Sequence, residues 1–405
     1  MAYPHPPSDP GAQSGAAPAG RFALARVVLL SIGHGIHDMY LAFLAPLLPL
    51  LQAKLGLSNT LAGSLATFLR SSSLAQPFIG YLADRTSTRL FVILAPGTTA
   101  LFMSLIGTAP SYGLVALLLV CVGLSHASYH APAPAMIAHV SRERVGAGMS
   151  FFMTGGELGR ALGPVLIVGI VQWVGLERSY LAAIPGLVFS ALMFPLVGPI
   201  QRGAKPVEQA DLRAILRDRR GPLMLLLAFV WTRALLVGSL GVFTPTYLTT
   251  RGLSLAQAAA GYAVLELAGA AGAMAGGTIS DRLGRRRTLL LAQSLAVPCF
   301  FAVTFGPQQL LFPLLALAGL VIFSTTPVAL ATLQEWLPEA RSLAGGLYFS
   351  LNYIATGLAA VLFGMLADQV GVRTAFNLLG LVPLATIPFA FLMRDPPRTG
   401  AGEAH

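Results

Sequence analysis

Long apolar runs separated by short polar turns cover nearly the whole chain, and each run approaches or exceeds the roughly 20 residues a helix needs to cross about 30 Å of hydrocarbon. Twelve are predicted, near residues 22–52, 58–84, 88–109, 111–139, 144–174, 178–198, 221–250, 254–281, 287–305, 308–335, 341–370 and 372–394. They are continuous and rich in Leu and Ala, without the period-two alternation that marks barrel strands of about 10 residues. The expected fold class is therefore an all-α integral membrane protein in a lipid bilayer.

The pattern repeats. "GYLADR" begins at Gly80 and "GTISDR" at Gly277, which sets Asp84 and Asp281 197 residues apart. The same offset relates Gly148 in "GAGMSFF" to Gly345 in "GGLYFS". This predicts two pseudo-symmetric six-helix halves, 21–198 and 221–394, related by an axis along the membrane normal with the substrate path between them. The charged linker 199–220 contains "DLRAILRDRR", expected to form a cytoplasmic helix, and residues 1–20 and 395–405 are expected to be cytoplasmic tails, the first disordered.

Composition agrees: 55% of the 405 residues are hydrophobic and only 10% charged. The net charge of +10 does not point to nucleic acid, because its distribution follows the membrane. Nineteen Lys and Arg fall on one side and only Lys54, Arg178, Arg251 and Arg373 on the other, placing both termini in the cytoplasm. Cys121 and Cys299 lie in separate apolar runs and give neither a disulfide framework nor a metal-type spacing. No cofactor is expected.

"GYLADRTSTR" after the second run and "GTISDRLGRRR" after the eighth resemble the loop signature of the major facilitator superfamily. The resemblance implies the twelve-helix fold, and gating roles for Asp84, Arg85, Asp281 and Arg282 beside the cytoplasmic turns. A closer resemblance, to the fosmidomycin-resistance type of exporter, rests on "HGIHD", "TFLRSSSLAQPFIGYLADR", "SYHAPAPAMIAHVS" and "GMSFFMTGGELGRALGPV". Within the last stretch, "GELGRALGP" is similar to the fifth-helix motif of proton antiporters. It favours export by antiport over uptake by symport.

Ionisable residues inside the runs are the candidate chemistry, since a charge at mid-membrane costs about 2.5–3.5 kcal/mol unless it meets a partner or water. His34, His37 and Asp38 stand at i, i+3 and i+4 on one face of the first helix, and His126 and His130 share a face of the fourth. Glu157 and Arg160 can pair along the fifth, Arg70 in the second and Arg233 in the seventh have no partner on their own helices, and Glu266 lies in the eighth. Arg guanidinium forks bind carboxylate or phosphonate through two parallel hydrogen bonds, so Arg70, Arg160 and Arg233 are candidate substrate ligands. His34, His37, His130, Tyr40 and Trp231 are candidates beside them. Two readings of Arg160 stay open: neutralising Glu157 or touching substrate. A carboxylate that gains and loses an Arg partner during a conformational change takes up and releases a proton, which makes Asp38, Glu157 and Glu266 candidates for proton coupling, with His126.

The expected function is a monomeric secondary transporter that moves a small organic anion by alternating access, coupled to protons. One rival is a divalent-metal exporter using His34, His37, Asp38, His126 and His130, although the nearby Arg residues argue against a cation and no metal is assigned. The other, an intramembrane enzyme, lacks any H-E-x-x-H or P-loop motif.

Overall fold

The structure, a computed structural model, describes residues 23–141, 144–197, 220–337 and 341–393. Both expected tails, and the expected linker helix apart from Arg220, lie outside the described residues. Twelve helical segments follow: α1 (Leu24–Leu55), α2 (59–85), α3 (Thr88–Leu105), α4 (Tyr112–Ser141), α5 (Val145–Val174), α6 (Leu176–Leu196), α7 (Arg220–Thr250), α8 (Leu255–Leu283), α9 (Arg285–Phe305), α10 (Gln308–Trp336), α11 (Arg341–Val370) and α12 (Val372–Leu392).

Eleven of these are long and apolar enough to cross a membrane. The less apolar one is α2, where Arg70 is followed by three serines and a 3-10 turn at Ser72–Ala75 interrupts an otherwise helical segment. Helix starts follow ordinary capping chemistry. Ser87 and Ser111 accept from the amides of Leu90 and Leu114, and Ser254 with Gln257 forms a capping box on α8.

The two halves repeat one packing plan: α1 lies on α5 as α7 lies on α11, and α3 on α6 as α9 on α12. Small residues allow the tightest crossings. A Cβ on Gly155, Gly159 or Gly163 of α5 would run into the carbonyl oxygens of Ser31, Gly35 or Met39 on α1, so these backbones touch.

Between halves the contacts are α2 with α11, α5 with α8, and the end of α1 with α7. We call the face carrying the α1–α2 and α7–α8 turns the turn face, and the opposite one the linker face. One apolar cluster at the turn face, with Tyr40, Leu48, Leu65, Phe243, Tyr247 and Phe363, joins both halves. Toward the linker face each half has its own cluster, around Val27 and Phe152 in one and Phe229 and Trp336 in the other. Likewise α11 packs along 59–71 but hardly touches 76–85. The halves are thus joined at the turn face and apart at the linker face.

Candidate functional site

Where the halves begin to part, the buried charges meet. Asp38 on α1 is only 2% exposed, and its carboxylate is divided between two helices. Arg160 Nη1 of α5 donates to its Oδ2 at 2.8 Å, and His130 Nε2 of α4 lies 3.1 Å from its Oδ1. His34 Nε2 stands 3.5 Å from Oδ2, one turn away. Arg160 also pairs through Nη2 with Glu157, and its Nε lies 4.0 Å from Glu266 of α8. One guanidinium therefore faces three carboxylates, one of them from the opposite half.

The histidines pack behind Asp38. His34 stacks on Phe152 at 4.0 Å between ring centroids, with Nδ1 2.7 Å from the Phe152 carbonyl oxygen, an arrangement Gly156 permits by lacking a side chain where the imidazole lies. His37 is fully buried, 3.1 Å from Thr99 through Nδ1. His126 lies 4.0 Å from His130 between centroids and meets the Tyr353 hydroxyl of α11 at 3.3 Å, a second contact across the halves. His34 Nε2, His37 Nε2 and His126 Nδ1 have no hydrogen-bond partner. Donor atoms of His37, Asp38, His126 and His130 come within 4.8 Å of one another, so these four residues could hold a metal ion.

Arg70 sits at the α2–α11 crossing. Its Nη1 donates to Thr356 at 2.5 Å, and among the described residues it has no carboxylate within ion-pair distance. Tyr262, Tyr353 and Glu266 surround it within electrostatic reach. Arg233 is placed elsewhere, 2% exposed between α7 and α10, where Thr325 and Thr326 accept its hydrogen bonds. Trp231 is 37% exposed on the same helix, and Tyr40 is fully buried, donating to the Ala182 carbonyl and accepting from the Gly186 amide.

The repeat explains this layout. Arg70 is equivalent to Leu267, beside Glu266, and Arg160 to Gly357, beside Thr356. The contacts Arg160 with Glu266 and Arg70 with Thr356 are therefore two copies of one inter-half contact. The cation stands on α5 in one copy and on α2 in the other. Thr356 was invisible as a candidate, yet the 197-residue offset from Arg160 leads to its neighbour.

At the linker face, Asp281 pairs with Arg285 at 2.7 Å, and Arg285 bridges to Glu335 of α10 at 2.5 Å. Arg282 is exposed beside them. Sequence reasoning singled out Arg282 and missed Arg285 and Glu335; the signal available was the basic run "GRRR". Arg85 lies over the Tyr81 ring at 4.3 Å.

Residues 30–333, three quarters of the chain, match the family model of the Major Facilitator Superfamily. The chain belongs to the major facilitator superfamily. Within it, the Fosmidomycin resistance protein of Escherichia coli is 25% identical over 370 residues, covering 90% of this chain and 91% of the relative. The Gentisate transporter of Corynebacterium glutamicum is 25% identical, covering 82% and 78%. Among solved structures, a bacterial homologue of the human lysosomal transporter Spinster, inward-facing and unoccupied, superposes with a TM-score of 0.77 at 16% identity, over 92% of this chain and 98% of that one. The chain is a multi-pass membrane transporter that resembles the fosmidomycin-resistance type, not an enzyme.

Proposed function

We propose that this transporter carries a small organic anion across the bacterial inner membrane, coupled to protons, as a monomer working by alternating access. The observation that carries the reading is Arg70. It is a permanently charged fork at mid-depth between the halves, held by a hydroxyl rather than a carboxylate, and so free to accept an anion as its main partner. Arg160, His130 and Tyr353 stand around the same space. The relatives named for fosmidomycin resistance and gentisate support a phosphonate or aromatic carboxylate as the substrate class.

Coupling belongs to the carboxylates that share Arg160, namely Asp38, Glu157 and Glu266, with the histidines behind them. In rocking, α5 moves against α8, so the 4.0 Å approach of Arg160 to Glu266 changes between states. The linker face is the cytoplasmic one by its positive charge, with Asp84, Arg85, Asp281 and Arg282 at its gate. Arg233, locked between two threonines, acts as a structural anchor of the second half.

The test is thermal stability of the purified protein across a panel of small organic anions. A ligand at about 100 times its dissociation constant stabilises the folded state by about 2.7 kcal/mol. Benzoates or phosphonates should raise the melting temperature, and Arg70→Gln should abolish the shift without lowering expression. The four-donor set at His37, Asp38, His126 and His130 supports a second reading, a divalent transition metal. A shift seen only with Zn, Ni or Co, and lost in His126→Ala, would replace the anion reading with that one.

A further inference from the structure

The inter-half charges do not balance, and the imbalance has a sense. Arg160 is bound by Asp38 and Glu157 and approached by Glu266; Arg70 is the only other guanidinium within reach of this group among the described residues. With neutral imidazoles, three carboxylates and two guanidiniums leave one negative charge. An anion arriving at Arg70 would make it two, beside a Glu266 carboxylate that is only 11% exposed to solvent screening.

The three carboxylates are not equally held. Asp38 has Arg160 at 2.8 Å and His130 at 3.1 Å. Glu157 has Arg160 on the same helix, one turn away. Glu266, 11% exposed, has the Tyr262 hydroxyl beside it, but among the described residues its one cation within ion-pair distance is the Nε edge of Arg160, at 4.0 Å.

The charged and titratable groups facing Glu266 come from three helices. They are Glu157 and Arg160 of α5, Arg70 of α2, and Tyr262 one turn away on α8 itself. From α7 comes the Gly241 carbonyl, which holds the Tyr262 hydroxyl at 3.0 Å, and α10 lies against the next turns of α8 with the uncharged Phe323 on Gly269 and Leu320 on Gly272. Tyr353 of α11 stands near Arg70 and Arg160. No further cation among the described residues approaches it.

We infer that Glu266 takes up one proton when an anion binds at Arg70. Proton and anion then occupy the site together and cross together, which is cotransport, the opposite of the antiport that "GELGRALGP" suggested. The inference rests on the anion reading above and adds its coupling sense. Glu266 is suited to the task by place as well as by weak pairing, since it stands beside Leu267, the position equivalent to Arg70 in the other half, next to the same opening. Neutralising it brings the cluster to zero charge before the anion arrives.

The experiment is isothermal titration of the purified protein with 2,5-dihydroxybenzoate, and with methylphosphonate as second probe, in buffers of differing ionisation enthalpy. Uptake of about one proton per anion is expected where Glu266 starts ionised, with affinity rising up to about tenfold per unit fall in pH by linkage. Glu266→Gln should bind at high pH as tightly as the wild type does at low pH, without proton uptake. Binding with proton release, or with no exchange across the pH range, overturns the inference and leaves the anion reading standing. Persistent uptake in Glu266→Gln overturns the choice of residue. Binding of neither probe overturns both readings.

Discussion

Asp368, near the end of α11, holds Thr60, at the start of α2, from the opposite half of the molecule. Its Oδ2 accepts from the Thr60 amide at 2.9 Å and the Thr60 hydroxyl at 2.6 Å, while Oδ1 takes the Asn59 amide at 2.8 Å and side chain at 2.9 Å. A helix N-terminus with free amides favours an anion there, and this one is supplied across the gate. The equivalent end of α8 is capped by its own Ser254 and Gln257. Only one of the two repeat-related interfaces is latched in this way.

Asp368→Asn should loosen the turn-face gate. Loss of the charge at an exposed position weakens the latch by about 1 kcal/mol, roughly a fivefold change in the ratio of closed to open gate. With Cys121 and Cys299 removed, a cysteine at position 67 should react several-fold faster with an impermeant maleimide added from that side. An unchanged rate would show that the latch does not hold the gate.

Arg160→Gln strands Asp38 and Glu157, and removing one partner of a buried pair costs about 3–5 kcal/mol, less here because Arg160 is 35% exposed to the opening. Melting temperature and transport should both fall. Adding Asp38→Asn should recover part of the stability but none of the transport. Strictly additive losses in melting temperature would mean the two residues do not act as a pair.

Gly159→Ala should collapse the yield of folded protein, since its methyl would meet the Gly35 backbone. Gly169→Ala, on the same helix with open space around it, should express normally. Equal yields in size-exclusion profiles would show that α1 and α5 can part at little cost.

Tyr40→Phe removes two buried hydrogen bonds and leaves the Ala182 carbonyl and Gly186 amide without their partner, at about 1–3 kcal/mol. The melting temperature should drop while KM holds. A raised KM with an unchanged melting temperature would put Tyr40 at the substrate after all.

The fold was legible because membrane solvation demands long apolar helices and because the repeat announces itself twice, at Asp84 and Asp281. The site was legible helix by helix. Spacing put His34, His37 and Asp38 on one face and paired Glu157 with Arg160. What spacing cannot show is a partner 122 residues away: Arg160 had an acidic neighbour at i−3, and nothing in the sequence said that Asp38 would claim it too. Asp368, Thr356, Arg285 and Glu335 escaped notice for a related reason. Each is ordinary on its own helix and acquires its role only where a second helix crosses.

The Asp368 cap also sets the depth at which the chain floats. When the gate opens, the amides of Asn59 and Thr60 lose that carboxylate, and hydrocarbon would offer them nothing in exchange. The water boundary of the bilayer must therefore lie at or inside Asn59. Counting about 20 helical residues from there along α2 reaches the neighbourhood of Ile79. Tyr81 and Arg85, stacked at 4.3 Å, then fall among the lipid headgroups of the other leaflet, as an aromatic and a cation that fix the helix at its opposite end.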